Sequence, residues 1–242
     1  MTGIILAAGK SKRMNSDLPK VLLPLDGRPL LFYILKTVNE IELDRIIVVV
    51  GKNHNEVMKT FADAKVEFVL QKNLLGTADA VKTCGKLLAE AEEILVCYGD
   101  TPLLTAKTIK QLIETHRKEH ADASILTTIL ENPFGYGRIV RGELNQVMAI
   151  VEEREATAEI KKIKEINSGA YIFSWQRLAP VLKGLQPSRF TGEYYLTDAI
   201  AGLKAAGARI TAYIAPDSNE ILGVNTPEEF DRVAKIIIRR KE

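Results

Sequence analysis

Little in this sequence could build a metal cage or a disulfide framework. Its 242 residues include two cysteines and three histidines. Cys84 and Cys97 show neither CxxC nor Cys/His ligand spacing, so both are expected as small core residues. His54, His116 and His120 are expected on helix or loop surfaces without Ser, Asp or metal company, which argues against a Ser-His-Asp triad. Basic and acidic residues nearly cancel, 33 against 31. No broad field therefore marks nucleic acid or an anionic membrane as the main partner. No apolar run approaches the roughly 18 residues of a membrane span. The first residues also lack the apolar segment and cleavage site of a signal peptide, and the expected location is cytoplasmic. Internal repeats and low-complexity linkers are missing too, so no firm domain boundary is drawn.

What is present is a large apolar fraction, 46%, with strand-length apolar runs at residues 3–8, 45–50, 66–70, 94–98 and 123–129. These runs are nearly continuous rather than alternating, as in strands covered on both faces. Helical patterns separate them at 29–41, 55–62, 77–91 and 105–118. Strand and helix in alternation predict an α/β fold with a doubly wound, mostly parallel, Rossmann-like sheet. From 133 to 173 the rhythm changes to short Gly-spaced strands at 137–141, 146–151 and 165–173, around a charged stretch at 156–164. This predicts a small, partly antiparallel insertion. Helices at 175–185 and 193–206, a strand at 209–215 and a terminal amphipathic helix at 226–239 return the chain to the first layer.

In an open parallel sheet, ligands sit at the carboxyl ends of the strands. The first strand ends in Ala8-Gly9, followed by Lys10, Lys12 and Arg13. The spacing fits neither a Walker loop nor GxGxxG, and considered alone a solvated basic loop reads as well as a phosphate loop. Lys20 stands between Pro19 and Val21, with a second proline at Pro24. Such prolines restrict the backbone around it.

Taken together, LAAGKSKRM (6–14) and LPKVLLPLDGRPLL (18–31) resemble the opening of the sugar-1-phosphate nucleotidyltransferases. Within that family the likeness is greatest to the N-terminal, UTP-using pyrophosphorylase domain of the bifunctional N-acetylglucosamine-1-phosphate uridylyltransferases. The resemblance runs from Gly3 to about Phe230, with its motifs in family order. It implies one nucleotidyltransferase domain over 1–242, with a nucleotide-binding part at about 1–130, a sugar-binding part at about 131–230 and a C-terminal helix at about 226–240.

The resemblance also implies roles. Leu6, Ala7, Ala8 and Gly9 would lie against the nucleoside, Arg13 would hold the β- and γ-phosphates, and Lys20 the transferred phosphate. Gln71, Gly76 and Thr77 would read the uracil edge, although many relatives carry Gly-His where this chain has Ala78-Asp79, and a second Gln in place of Leu74. Read alone, that stretch is a turn with Thr77 as a helix cap. Asp100, after the strand ending at Tyr98, would bind Mg²⁺ with Asn225. One Asp and one Asn suffice for an ion that keeps waters and phosphates as ligands. Tyr98, Gly99, the Gly137 backbone, Glu152 and Asn167 would line the sugar pocket, with Thr197 and Asp198 behind them.

The implied reaction is in-line attack of a sugar-1-phosphate oxygen on the α-phosphorus of UTP, releasing pyrophosphate without a covalent intermediate or a general base. The partners are UTP and a sugar-1-phosphate. A β-helix acetyltransferase domain is not expected in this sequence. The run Ile236-Ile237-Ile238-Arg239-Arg240 would suit a linking helix or a homo-oligomer contact equally. Glucose-1-phosphate with UTP, or dTTP or CTP as donor, are the alternatives within the enzyme class. A non-catalytic nucleotide-sugar-binding regulatory subunit is the alternative outside it, and binding of nucleic acid by the basic loop lacks interleaved aromatics.

Overall fold

A computed structural model describes residues 1–9, 18–52 and 54–240. In chain order its regular elements begin with β1 (Thr2–Ala7), β2 (Pro24–Leu25), β3 (Arg28–Pro29), α1 (Leu30–Asn39), β4 (Arg45–Val50) and α2 (His54–Thr60). The middle of the chain forms β5 (Glu67–Leu70), α3 (Thr77–Thr83), β6 (Glu93–Tyr98), α4 (Ala106–Lys118), β7 (Ala123–Ile129), β8 (Arg138–Arg141), β9 (Val147–Val151) and α5 (Ala158–Lys161). It closes with β10 (Glu165–Ser174), α6 (Trp175–Gly184), α7 (Asp198–Ala205), β11 (Ile210–Ile214) and α8 (Pro227–Arg239).

Among the described residues the main sheet has nine strands, seven of them in the order β11-β7-β10-β6-β1-β4-β5. β1 lies parallel between β4 and β6, β5 extends that parallel half, and β11 pairs parallel with β7. The antiparallel part joins through β10, which pairs with β8, itself paired with β9. The strand expected in the inserted layer, residues 165–173, lies instead in the body of the sheet, antiparallel between β6 and β7. Its burial explains this: the eight residues from Ile166 to Phe173 are all buried, as in a strand covered on both faces.

Alternate residues of each strand serve opposite faces. Ile5, Val48, Val50, Leu95, Cys97 and Ile172 pack under α1, α2 and α4. Ile4, Ile47, Val49, Ile94, Val96 and Tyr171 pack under α3, α6 and α7. Each aliphatic side chain so buried contributes about 1.5–3 kcal/mol, which holds the strand ends in fixed register. A third cluster, Leu25, Leu30, Leu103, Leu222, Val224, Val233 and Ile237, seats α8 beside the carboxyl end of β6. Both cysteines are buried, as expected. No helix of the described residues is long and apolar enough to cross a membrane.

Two local expectations need correction. His116 is buried on the inner side of α4, where its Nδ1 is 2.7 Å from the hydroxyl of Ser124 and its Nε2 is 3.5 Å from Glu93. This Ser-His-Glu row does resemble a triad in composition, but Ser124 is 0% exposed and no substrate can reach it. The helix expected from residue 193 starts only at Asp198, because the preceding segment pairs with the turn before α3. Tyr194 N–H donates to the Leu75 carbonyl at 2.7 Å, and its own carbonyl accepts from Ala78 N–H at 2.9 Å.

Candidate active site

The loops that follow β1, β4 and β6 meet at one edge of the sheet. Gly99 N–H donates to the Leu6 carbonyl at 2.9 Å. A methyl group placed on Gly51 would come 2.7 Å from the Ala8 carbonyl oxygen, so the chain segments touch backbone to backbone. Leu6 and Ala8 are half-buried and Gly9 is exposed at this edge. Arg13, together with Lys10 and Lys12, lies outside the described residues.

At the same edge the structure brings together three residues that lie 80 and 205 positions apart in the chain. The Lys20 ammonium pairs with Asp100 Oδ2 and donates to Asn225 Oδ1 at 2.9 Å. The backbone brings the three positions close together. Lys20 opens a short helical turn between Pro19 and Leu23, and Asp100 lies two residues past the end of β6. Its carbonyl accepts from Val224 N–H at 2.9 Å, which ties the 223–225 segment to the strand end. Asn225 is free for the site because Thr226 caps α8, in a capping box with Glu229. The Glu229 carboxylate also takes the Asn225 backbone N–H at 2.6 Å. Glu229 was not singled out from the sequence, though the spacing Thr226-x-x-Glu229 carries the signal.

Two side-chain oxygens, one charged and one amide, thus converge on a single cationic centre. The ammonium stands where a small cation with oxygen preference would find both ligands. Among the described residues no three His, Cys, Asp or Glu side chains gather as a metal site.

Past the end of β5, Gln71 is 4% exposed and its backbone N–H donates to the Val50 carbonyl at 2.9 Å. Its amide nitrogen donates to Gly76 O at 3.0 Å and to Asp79 Oδ2 at 2.7 Å. Gly76 has φ +111°, and a Cβ there would lie 2.4 Å from the Tyr194 carbonyl oxygen, so only glycine fits. Thr77 does not cap α3 as expected. It is the first helical residue, and its hydroxyl accepts from Leu196 N–H at 2.9 Å.

Where β10 meets the antiparallel part, Asn167 N–H donates to the Gly137 carbonyl at 2.9 Å. A Cβ built on Gly137 would lie 3.7 Å from both Glu152 Cδ and Asn167 Cβ. The three expected residues therefore share one small space. A bulge after Asn167 interrupts the β10–β7 ladder until Tyr171, and Asn167 Nδ2 donates to the Tyr171 hydroxyl at 2.6 Å. Gly169, φ +83° within that bulge, sits so close to the Tyr98 ring that a Cβ would come within 2.6 Å of it. Burial, and then the charge of Glu152, push the Tyr98 hydroxyl above its ordinary pKa, so it acts as a neutral donor or acceptor. Burial also raises the pKa of Glu152, opposed by a hydrogen bond from the Thr197 hydroxyl at 2.8 Å.

Beside Thr197, burial and then the Glu155 carboxylate push Asp198 up to about 6 from 3.8. A carboxyl whose pKa is higher folded than unfolded costs stability once ionised. The melting temperature is therefore expected to fall as pH rises from 3.8 to about 6, and Asp198→Asn should flatten that decline. An equal slope in the variant, by thermal unfolding across the window, would assign the decline to another group.

With this geometry in place, the comparisons with known proteins are consistent. The MobA-like NTP transferase domain family matches residues 3–164. The Bifunctional protein GlmU of Syntrophomonas wolfei subsp. wolfei is 38% identical over 241 residues, 100% of this chain and 54% of the relative. That of Lactococcus lactis subsp. cremoris is 45% identical over 232 residues, 96% of this chain and 49% of the relative. The chain spans about half the length of the curated relatives it matches. Among solved structures, a UDP-glucose pyrophosphorylase complexed with UDP-glucose superposes with TM-score 0.77 at 20% identity, covering 99% of this chain and 98% of its own. HddC from Yersinia pseudotuberculosis complexed with GMP-PN gives 0.70 at 21%, covering 98% and 99%. At these identities the two structures speak to the fold alone.

Proposed function

The chain belongs to the MobA-like NTP transferase domain family, and from that premise we propose that it transfers the uridylyl group of UTP to N-acetylglucosamine-1-phosphate, with Mg²⁺, giving UDP-N-acetylglucosamine and pyrophosphate. The observation that carries nucleotidyl transfer is the convergence of Lys20, Asp100 and Asn225 at the carboxyl end of β6. The sequence resemblance to the uridylyltransferase domain, with the Gly137, Glu152 and Asn167 grouping, supports the choice of sugar.

Asp100 and Asn225 would hold Mg²⁺, which when bound neutralises charge on the two phosphates that must approach each other. Lys20 would then exchange its two protein oxygens for the transferred phosphate. The attacking phosphate oxygen is already an anion near neutral pH, so the protein's task is positioning and charge stabilisation rather than proton abstraction. Arg13 would add charge against the leaving pyrophosphate. On the sugar side, Glu152 would accept from a hydroxyl pair, with Thr197 fixing its carboxylate, and Asn167 would offer its amide to the N-acetyl group. A site that pairs such groups rejects analogues that leave them unpaired.

Glu152→Gln should raise KM for the sugar phosphate about tenfold with a smaller change for UTP, as expected when a charged hydrogen bond is lost. An equal loss for both substrates in initial-rate assays would remove Glu152 from the sugar pocket. The reaction itself is tested by pyrophosphate release with UTP, comparing N-acetylglucosamine-1-phosphate with glucose-1-phosphate, each repeated with dTTP, CTP and a chelator. Chelator-sensitive release with UTP and the N-acetyl sugar supports the proposal. Release with another pair moves the substrate, and none with any pair leaves a nucleotide-sugar-binding subunit.

A further inference from the structure

The amide of Gln71 has a definite orientation, fixed by a carboxylate in the first turn of α3. Gln71 Nε2 lies 2.7 Å from Asp79 Oδ2 and 3.0 Å from the Gly76 carbonyl oxygen. Both partners are acceptors. Turning the amide over would set its oxygen against a carboxylate and a carbonyl, so the nitrogen must face them. Gly76 cannot yield, because its backbone is pressed on Tyr194 at φ +111°. Both amide hydrogens are thereby committed within the protein, and the group left for a ligand is the carbonyl oxygen.

We propose that Asp79 is a positioning residue that sets base preference by holding Gln71 as an acceptor. The proposal rests on reading this pocket as the nucleotide site. A fixed acceptor matches the N3–H of an imide, which uracil and thymine carry. Cytosine has a lone pair at N3, so a fixed acceptor there is repelled. Were the amide free to turn, it could present its NH₂ to that lone pair and serve both pyrimidines. The bland alternative is that Asp79, in the first turn of α3, merely stabilises the helix end through its charge. That role would alter the melting temperature and leave base preference alone.

The test uses the intact chain and its Asp79→Ala and Asp79→Asn variants. Equilibrium binding of UTP and of CTP with Mg²⁺ is measured by titration calorimetry, beside kcat/KM for each triphosphate. Wild type should favour UTP. Asp79→Ala should shift the UTP:CTP ratio toward CTP by about tenfold, the scale of one charged hydrogen bond. Asp79→Asn keeps a carbonyl acceptor for Gln71 and should stay close to the wild-type ratio, even where its melting temperature follows that of Asp79→Ala. An unchanged ratio in Asp79→Ala overturns the proposal, as does a ratio in Asp79→Asn that matches Asp79→Ala, or a wild type that prefers CTP. Wild type that binds neither triphosphate overturns the nucleotide-pocket reading itself, a result distinct from any of these.

Discussion

Asp100→Ala should lower turnover by about 10²–10³-fold, the range seen when one preorganised electrostatic contact is removed from a reacting phosphate or carbonyl centre. Of the two side-chain oxygens that converge on Lys20, this is the charged one, so its loss takes away both a ligand and the counter-charge. The fold should survive. The Asp100 side chain lies beyond the end of β6, outside the buried clusters, and its backbone carbonyl would still receive the Val224 N–H. Asp100→Asn separates the two contributions, since it keeps an oxygen and drops the charge. Rates measured over a Mg²⁺ series, with circular dichroism to verify folding, decide the matter. Retained Mg²⁺-dependent turnover in Asp100→Ala would end the metal assignment.

Lys20→Ala should lower kcat by about 10²-fold if the ammonium moves to the transferred phosphate. A change confined to KM would instead mean that Lys20 only holds substrate. The structure adds an opposite expectation for the free protein. Because the ammonium occupies both Asp100 and Asn225, its removal unmasks two oxygens, and Mg²⁺ should bind Lys20→Ala more tightly than wild type without nucleotide. Calorimetric titration of Mg²⁺ into both proteins reads this directly. Tighter metal binding together with slower chemistry would show one group acting as placeholder and as catalyst. Weaker metal binding would mean that Lys20 helps to shape the ion's site rather than fill it.

The sheet was legible because its signal is local. A run such as Arg45–Val50, apolar at five successive positions, reads as a buried strand in any context. Glu165–Ser174 was legible as a strand but not in its place, since nothing within ten residues states which neighbours it pairs with. Candidate residues after β1, β5 and β6 could be named from motifs, and the pairing of Lys20 with Asp100 and Asn225 could not. That contact depends on the tie between Asp100 and Val224, a backbone bond that no side chain announces. Thr77 misled for a related reason. Its hydroxyl had a distant backbone partner in Leu196 that outcompeted the local cap. Asp79 stands in the sequence as one acidic residue among many, and its contact with the Gln71 amide shows only in the structure.

The placement of β10 bears on how the chain acquires its shape. β6 and β7 are never direct neighbours; β10, made last of the three, fills the space between them. A chain synthesised only as far as Leu130 would lack the strand that stands between β6 and β7. Unpaired strand edges are templates for mispairing. Residues 165–174 fill that gap, and the same strand sets Gly169 against the Tyr98 ring. The strand that covers the flank of β6 is also the one that carries Asn167, so a chain without β10 would lack both the closed sheet and that side chain.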